Sequence, residues 1–264
     1  MEASERRVAV AGDDERAAEI RDAVRDAGGH LAEPASATGE GAAVDAQRSD
    51  AALLVAVGDE AVRDAVVAAP DCTVVPVADR RLAFDRDGAV EALRRLLDGS
   101  GAGDSIRRVT HPVLAVDSGT DAPVRAAFDV ALVTGEPARI SEFGVGFHRG
   151  RTESVRADGV VVATPLGSDG YANAAGGPVV EPGGGLSVAP IAPFSTRIDA
   201  WVAAERVRLT VEREGEPIAL VVDGKRRGAV EPHRTTEVEA VDRVAFAAPT
   251  GGGERADRKH SNNS

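Results

Sequence analysis

Seven consecutive apolar residues, Ala51-Ala-Leu-Leu-Val-Ala-Val57, run without a polar break and stop at Gly58-Asp59-Glu60. A strand with one face in water alternates polar and apolar residues, whereas an unbroken run implies burial on both faces, as in a parallel sheet covered by helices. The flanking residues agree. Arg7-Val-Ala-Val-Ala11 is a shorter apolar run ending at Gly12, followed by Asp13-Asp14, which offer an acidic helix start. Ala18, Ile20, Ala23, Val24 and Ala27 then recur at helical spacing before Gly28-Gly29. Val62, Ala65, Val66 and Ala69 form a second such face, Cys72 to Val77 a third strand, and Ala89 to Leu97 a further helix. Strand, glycine turn, helix and strand in repetition predict a doubly wound α/β unit over residues 1–104.

Around Asp98 to Asp104 (DGSGAGD) the pattern changes. Short β-type runs follow at Val113–Val116, Ala127–Val133, Glu142–Phe147, Val160–Val162, Val207–Val211, Ile218–Val222 and Val241–Ala247. Their number and spacing predict an all-β unit over 105–250, with two packed sheets in a β-sandwich-like arrangement. The glycine-rich polar tail, 251–264, is expected to be disordered.

Charge narrows the function classes. Acids outnumber bases 43 to 31 and the formal net charge is -12, which argues against a nucleic-acid surface or an anionic membrane as partner. Lys225 and Lys259 are the only lysines; an acidic, lysine-poor chain fits a high-salt cytoplasm, where surface carboxylates hold hydration. No apolar run is long enough to span a bilayer, and no signal-peptide pattern opens the chain, so a cytoplasmic location is expected. Cys72 is the single cysteine, and the five histidines lack metal-ligand spacing.

The densest motif is TPLGSDGYANAAGGP, Thr164 to Pro178, which holds the chain's one tyrosine, Tyr171. It resembles the glycine-rich signature of the NAD kinases, TPTGSTAYSLSAGGP, in the TP, the GS, the tyrosine and the AGGP at matching spacing. Other segments extend the resemblance. Ala189 to Pro193 looks like the family's PIAPH segment, Asp223-Gly224 like its DG turn and Arg156 to Gly159 like its RGDG, while Pro137 to Arg139 lies where the family has a similar turn. The resemblance implies phosphorylation of the adenosine-ribose 2′-hydroxyl of NAD by ATP or polyphosphate, with Mg²⁺ or another divalent cation. It also implies a homodimer or homotetramer. The family's GGDGT loop corresponds to Val57-Gly58-Asp59-Glu60-Ala61, with Gly58, Asp59 and Glu60 as the phosphate loop and Asp59 as the implied general base. The implied NAD-binding set is Asp129, Asp158, Thr164, Ser168, Asp169, Gly170 and Tyr171.

Several positions depart from the family. Glu60 stands for a glycine and sets a carboxylate beside the phosphates, a clash that Mg²⁺ or a counter-cation would relieve. Ala61 lacks the threonine hydroxyl, and Val75 to Phe84 occupies the place of VPVLGINxGxLGFL with Arg80 and Arg81 in its middle. Phe128-Asp129 replaces an Asn-Glu pair, Asp169 a threonine, and Phe194 the histidine of PIAPH. Asp59 is also a natural helix N-cap and Asp158 a natural turn residue, and the tyrosine ring could pack in a core as well as stack on adenine. Asp223 reads as a hairpin-turn acid. Two other functions share these features: a relative that binds a nucleotide without phosphorylating it, and a kinase for another hydroxyl substrate. A lipid acceptor fits poorly with so acidic a chain.

Overall fold

The structure is a computed structural model, and it describes residues 7–32, 51–98, 106–119, 122–136, 140–195, 199–213 and 217–250. The expected 98–104 linker (beyond Asp98), the Pro137–Arg139 turn and the 251–264 tail lie outside the described residues.

The first unit alternates strand and helix: β1 (Arg7–Ala11), α1 (Glu15–Asp26), β2 (His30–Leu31), β3 (Leu53–Val57), α2 (Asp59–Ala68), β4 (Thr73–Val77) and α3 (Arg86–Asp98). Its strands are parallel in the order β2-β1-β3-β4. The apolar run behaves as its pattern requires. Leu53, Val55 and Val57 of β3 pack with Ile20 and Val24 of α1 and Leu93 and Leu97 of α3. Leu54 and Ala56 point the other way, into the cluster of Val62, Ala65 and Val66 from α2. All five β3 residues are buried, each Val or Leu contributing on the order of 2 kcal/mol by leaving water. A polar residue on either face would forfeit this. Asp14 caps α1 by accepting from the Ala17 amide at 3.0 Å.

The remainder is β-rich: β5 (Ile106–Asp117), β6 (Val124–Ala126), β7 (Asp129–Thr134), β8 (Ser141–Phe147), β9 (Thr152–Ala157), β10 (Gly159–Ala163), the one-turn helix α4 (Tyr171–Ala174), β11 (Leu186–Ile191), β12 (Trp201–Ala203), β13 (Arg206–Val211), β14 (Ile218–Val222), β15 (Lys225–Val230) and β16 (Thr235–Pro249). Six strands make an antiparallel sheet ordered β12-β11-β10-β7-β14-β15. Its inner face packs Val130, Leu132, Val160, Val162 and Leu220 against Phe143, Val145, Leu209 and Val238 of the other sheet. Two sheets enclosing one apolar layer is the sandwich that the run spacing predicts.

The two units share a sheet. β16 pairs antiparallel with β13 and β5 along its length, and its far end runs parallel to β4, with Phe246 beside Val74. The larger sheet therefore continues from β2 through β4 and β16 to β9, ten strands in all. Ala247 and Ile106 complete the core beneath α3. The sequence division at residue 104 does not anticipate this, because the last strand closes the first unit's sheet. β5 and β16 also exceed the apolar runs that marked them, since polar residues alternate wherever one face meets water. β9 (TESVRA) and β15 (KRRGAV) carried no apolar signal; both are edge strands, where charge discourages pairing with other chains.

Candidate active site

A cleft of ≈ 630 Å³ lies between the carboxyl end of the parallel strands and the outer face of the six-stranded sheet. From the first unit come Asp59, Glu60, Arg63 and Arg80, and from the second Asp129, Tyr171 and Lys225. Its apolar floor is Ala131 and Val133 of β7 with Val221 of β14, residues turned away from the sandwich core. Ligands of open α/β sheets bind at this end of the strands.

β3 ends at Gly58, whose φ of 86° is costly for any residue with a Cβ. Its amide donates to Val77 O at 2.8 Å, and α2 begins at the next residue. Gly58 itself is the N-cap position, and no side chain caps the helix. Asp59 is thus not a cap. Its two carboxylate oxygens accept from Arg80, Oδ1 from Nε at 3.1 Å and Oδ2 from Nη2 at 2.8 Å. The Arg80 guanidinium lies 3.8 Å from the centroid of the Phe128 ring, which supports it by a cation–π contact. Two departures from the family pattern, Arg80 and Phe128, are therefore in contact with each other.

Glu60 accepts from Arg63 at 3.1 Å and from Lys225 at 3.5 Å, and these cations lower its pKa. Two side chains of the chain itself thus stand as cations beside this carboxylate. Lys225 reaches Glu60 across the cleft from the β14–β15 turn. Its place next to Asp223-Gly224, in a chain with two lysines, was the available sequence signal.

The signature segment descends from β10 as a packed loop. Thr164 and Ser168 are fully buried. The Thr164 hydroxyl donates toward Ala127 O and Phe128 O and accepts from the Gly167 amide. The Ser168 hydroxyl donates to Pro165 O and accepts from the Val180 amide. Both hydroxyls face inward and hold the loop together. A Cβ at Gly167 would sit 2.2 Å from Phe128 O, so this glycine permits the loop to lie on the 127–129 backbone. Asp169 likewise turns inward: Oδ2 accepts from the Arg81 amide at 2.7 Å, and Oδ1 is buried without a hydrogen bond. It ties the two units together. Beneath the loop, buried His111 stacks on Phe246 with ring centroids 5.2 Å apart and accepts from the Leu166 amide through Nε2. Burial lowers its pKa to about 3, so the ring is neutral.

Tyr171, at the start of α4, is 49% exposed and lines the cleft beside Gly170. It is not core. Burial, and then the charges of Asp129 and Asp158, raise the phenol pKa. Asp129 has its carboxyl in the cleft; burial and the neighbouring Asp223 carboxylate raise its pKa to about 6, with Arg80 opposing. Asp223 accepts from three successive amides, Ala127 at 2.9 Å, Phe128 at 2.7 Å and Asp129 at 3.1 Å. It is more than a turn residue, since it fixes the strand entry that presents Phe128 and Asp129. Asp158 sits beyond the Val133 end of the floor, where its carbonyl accepts from the Thr134 amide. Phe194, 73% exposed, follows β11 and is not among the residues that line the cleft.

Comparisons with known proteins accord with this layout. Residues 129–249 match the family described as ATP-NAD kinase C-terminal domain. The NAD kinase of Methanoculleus marisnigri is 37% identical over 123 residues, 46% of this chain and 45% of that one. A bifunctional NADP phosphatase/NAD kinase from Methanocaldococcus jannaschii is 41% identical over 99 residues, 36% of this chain and 17% of that one. The chain thus spans less than half the length of these curated relatives. Solved structures extend the fold match over nearly the whole chain. An NAD kinase from Archaeoglobus fulgidus in complex with ATP superposes with a TM-score of 0.66 at 21% identity, covering 94% of each chain. Yeast NADH kinase complexed with NADH gives 0.68 at 16% identity, covering 92% of this chain and 83% of that one. The match to the ATP-NAD kinase C-terminal domain thus covers residues 129–249, and the signature segment Thr164–Pro178 lies within it.

Proposed function

We propose that the chain transfers a phosphoryl group from ATP or polyphosphate to the adenosine-ribose 2′-hydroxyl of NAD, giving NADP. One observation carries this reading: Asp59 and Tyr171, drawn from motifs far apart in sequence, line a single cleft. Tyr171 offers a flat face for adenine, and the small floor residues leave room for a dinucleotide to lie along β7. In the transfer, the ribose oxygen forms a bond to the terminal phosphorus while its proton passes to an Asp59 oxygen. The bond from that phosphorus to its bridging oxygen breaks, and the electron pair leaves with ADP or the shortened polyphosphate. Catalysis of this kind rests on positioning and charge stabilisation. Arg63, Arg80 and Lys225 supply positive charge on the donor side of the cleft.

A divalent cation fits the place. Asp59 and the 74% exposed Glu60 carry carboxylate oxygens there, and Mg²⁺ is commonly held by one or two carboxylates with substrate phosphates completing its shell. It would neutralise charge on the transferred group. Among the described residues no trio of ligand-type side chains forms a cage of its own. The acid excess supports work in a high-salt cytoplasm, and assembly as a homodimer or homotetramer belongs to the same proposal.

The second reading, a nucleotide-binding relative without turnover, is favoured by the occupation of both Asp59 oxygens by Arg80. An assay for NADP formation in molar KCl decides between them, with NAD, Mg²⁺ and either ATP or polyphosphate. Turnover that disappears in Asp59→Ala, with NAD binding retained, is the expected result. An Asp59→Ala protein as fast as wild type overturns the base assignment, and no turnover beside measurable NAD binding selects the second reading.

A further inference from the structure

Arg80 lends charge to the donor side of the cleft, but its two-point hold on Asp59 is a contact that no step of the proposed reaction uses. Its side chain is 16% exposed, whereas that of its partner Asp59 is 57% exposed. The guanidinium rests on Phe128, reaches toward Leu166 O at 3.5 Å, and would be 3.8 Å from a Cβ at Gly170. It therefore stands at the edge of the signature loop with Asp59 on one side, and Asp129 is near enough for its charge to be felt. A guanidinium presents two parallel N–H donors, a geometry that suits phosphate oxygens as well as carboxylate oxygens. A bound phosphate carrying more negative charge than a carboxylate competes well for that fork, and an exposed carboxylate released from it is rehydrated at little cost.

We propose that Arg80 is a positioning residue that exchanges partners: it holds Asp59 until a phosphate of the bound nucleotide takes the guanidinium, which frees the Asp59 carboxylate. Phosphate arrival and availability of the carboxylate are then one event. The aromatic ring beneath Arg80 keeps the guanidinium near both partners, so the exchange needs only a short movement. The inference rests on the kinase reading solely for its catalytic consequence; the exchange itself is a property of nucleotide binding.

The test follows the Arg80 Nε–H resonance in arginine-¹⁵N-labelled full-length protein, assigned through Arg80→Lys. ATP with Mg²⁺ and NAD are titrated separately, on wild type and on Asp59→Asn. In the free proteins the two signals differ, because one Arg80 faces a carboxylate and the other an amide. At saturation with the ligand whose phosphate Arg80 takes, the wild-type and Asp59→Asn signals coincide. Arg80→Met binds that ligand at least about tenfold more weakly by calorimetry, the loss expected for a charge-assisted contact, and Arg80→Lys recovers part of it. A purely structural Arg80 leaves the two signals distinct with both ligands. That outcome, or absence of binding by either ligand, overturns the proposal. Turnover with an unmoved Arg80 signal removes the exchange and leaves the kinase, while exchange without turnover does the reverse.

Discussion

The contact that most directly couples fold to site is the Asp223 carboxylate, and Asp223→Asn isolates it. Residue 223 has a φ of 47°, a region asparagine tolerates about as well as aspartate, so the β14–β15 turn survives the change. The hydrogen bonding does not. In the native protein Oδ2 accepts from the Ala127 amide, and Oδ1 accepts from those of Phe128 and Asp129. An asparagine keeps one acceptor oxygen and presents an NH₂ where Oδ2 was, so the Ala127 amide next to two buried residues loses its partner. One orphaned amide costs about 1–3 kcal/mol, and the remaining bonds lose their charge assistance. Relief of the repulsion between Asp223 and Asp129 offsets part of this, leaving a net destabilisation of about 3 kcal/mol. The same change removes a charge that raises the Asp129 pKa, so Asp129 titrates below its native value of about 6. Urea unfolding in molar KCl reads the stability, and carboxyl ¹³C resonances read the titration. A variant within about 0.5 kcal/mol of wild type, the range of an ordinary surface change, or an unmoved Asp129 titration, would refute the account of Asp223 as the anchor of 127–129.

Two further predictions concern the loop and its floor. His111→Phe keeps the stack on Phe246 but orphans the Leu166 amide, costing about 1–3 kcal/mol at neutral pH. Because the folded His111 pKa, about 3, lies below the ordinary 6.5, the unfolded wild-type chain alone binds this proton between those pH values. Wild type therefore loses stability on acidification, and its advantage over the variant shrinks by about 1.4 kcal/mol per pH unit below pH 6.5. Asp129 acts with the opposite sign between 3.8 and about 6, holding a proton in the folded state, so the difference between the two proteins, not either curve alone, is the quantity to follow. A difference that stays constant with pH in urea titrations would mean that His111 is not held neutral by the fold. Tyr171→Ala removes an exposed ring and leaves stability within about 0.5 kcal/mol, while raising the dissociation constant for NAD roughly tenfold through lost stacking. Unchanged NAD affinity in calorimetry would remove the tyrosine from the binding face.

Much of the architecture is legible in one dimension because burial writes itself into residue pattern. The unbroken Ala51–Val57 run announces a strand covered on both faces, and helices do lie on both sides of β3. The signature at Thr164–Pro178 and the acid at Asp59 mark the two walls of the cleft. The edge strands β9 and β15 were silent for a complementary reason: a strand with charged residues toward water lacks the apolar pattern by which strands are read.

Residue pattern alone fixes the local choices: which runs are strands, where glycine lets the chain turn at 58 and approach closely at 167, and which motif the chain shares with the NAD kinases. Only the tertiary structure decided which side chains face which. Thr164, Ser168 and Asp169 lie in the same motif as Tyr171, yet they turn inward to satisfy buried backbone while the ring turns out. The Asp59–Arg80 pair, the Arg80–Phe128 contact and the Glu60–Lys225 bridge join residues 21, 48 and 165 positions apart. Charge and ring contacts across such separations follow no local periodicity. They exist because β16 closes the first unit's sheet and brings the six-stranded sheet over the ends of the parallel strands.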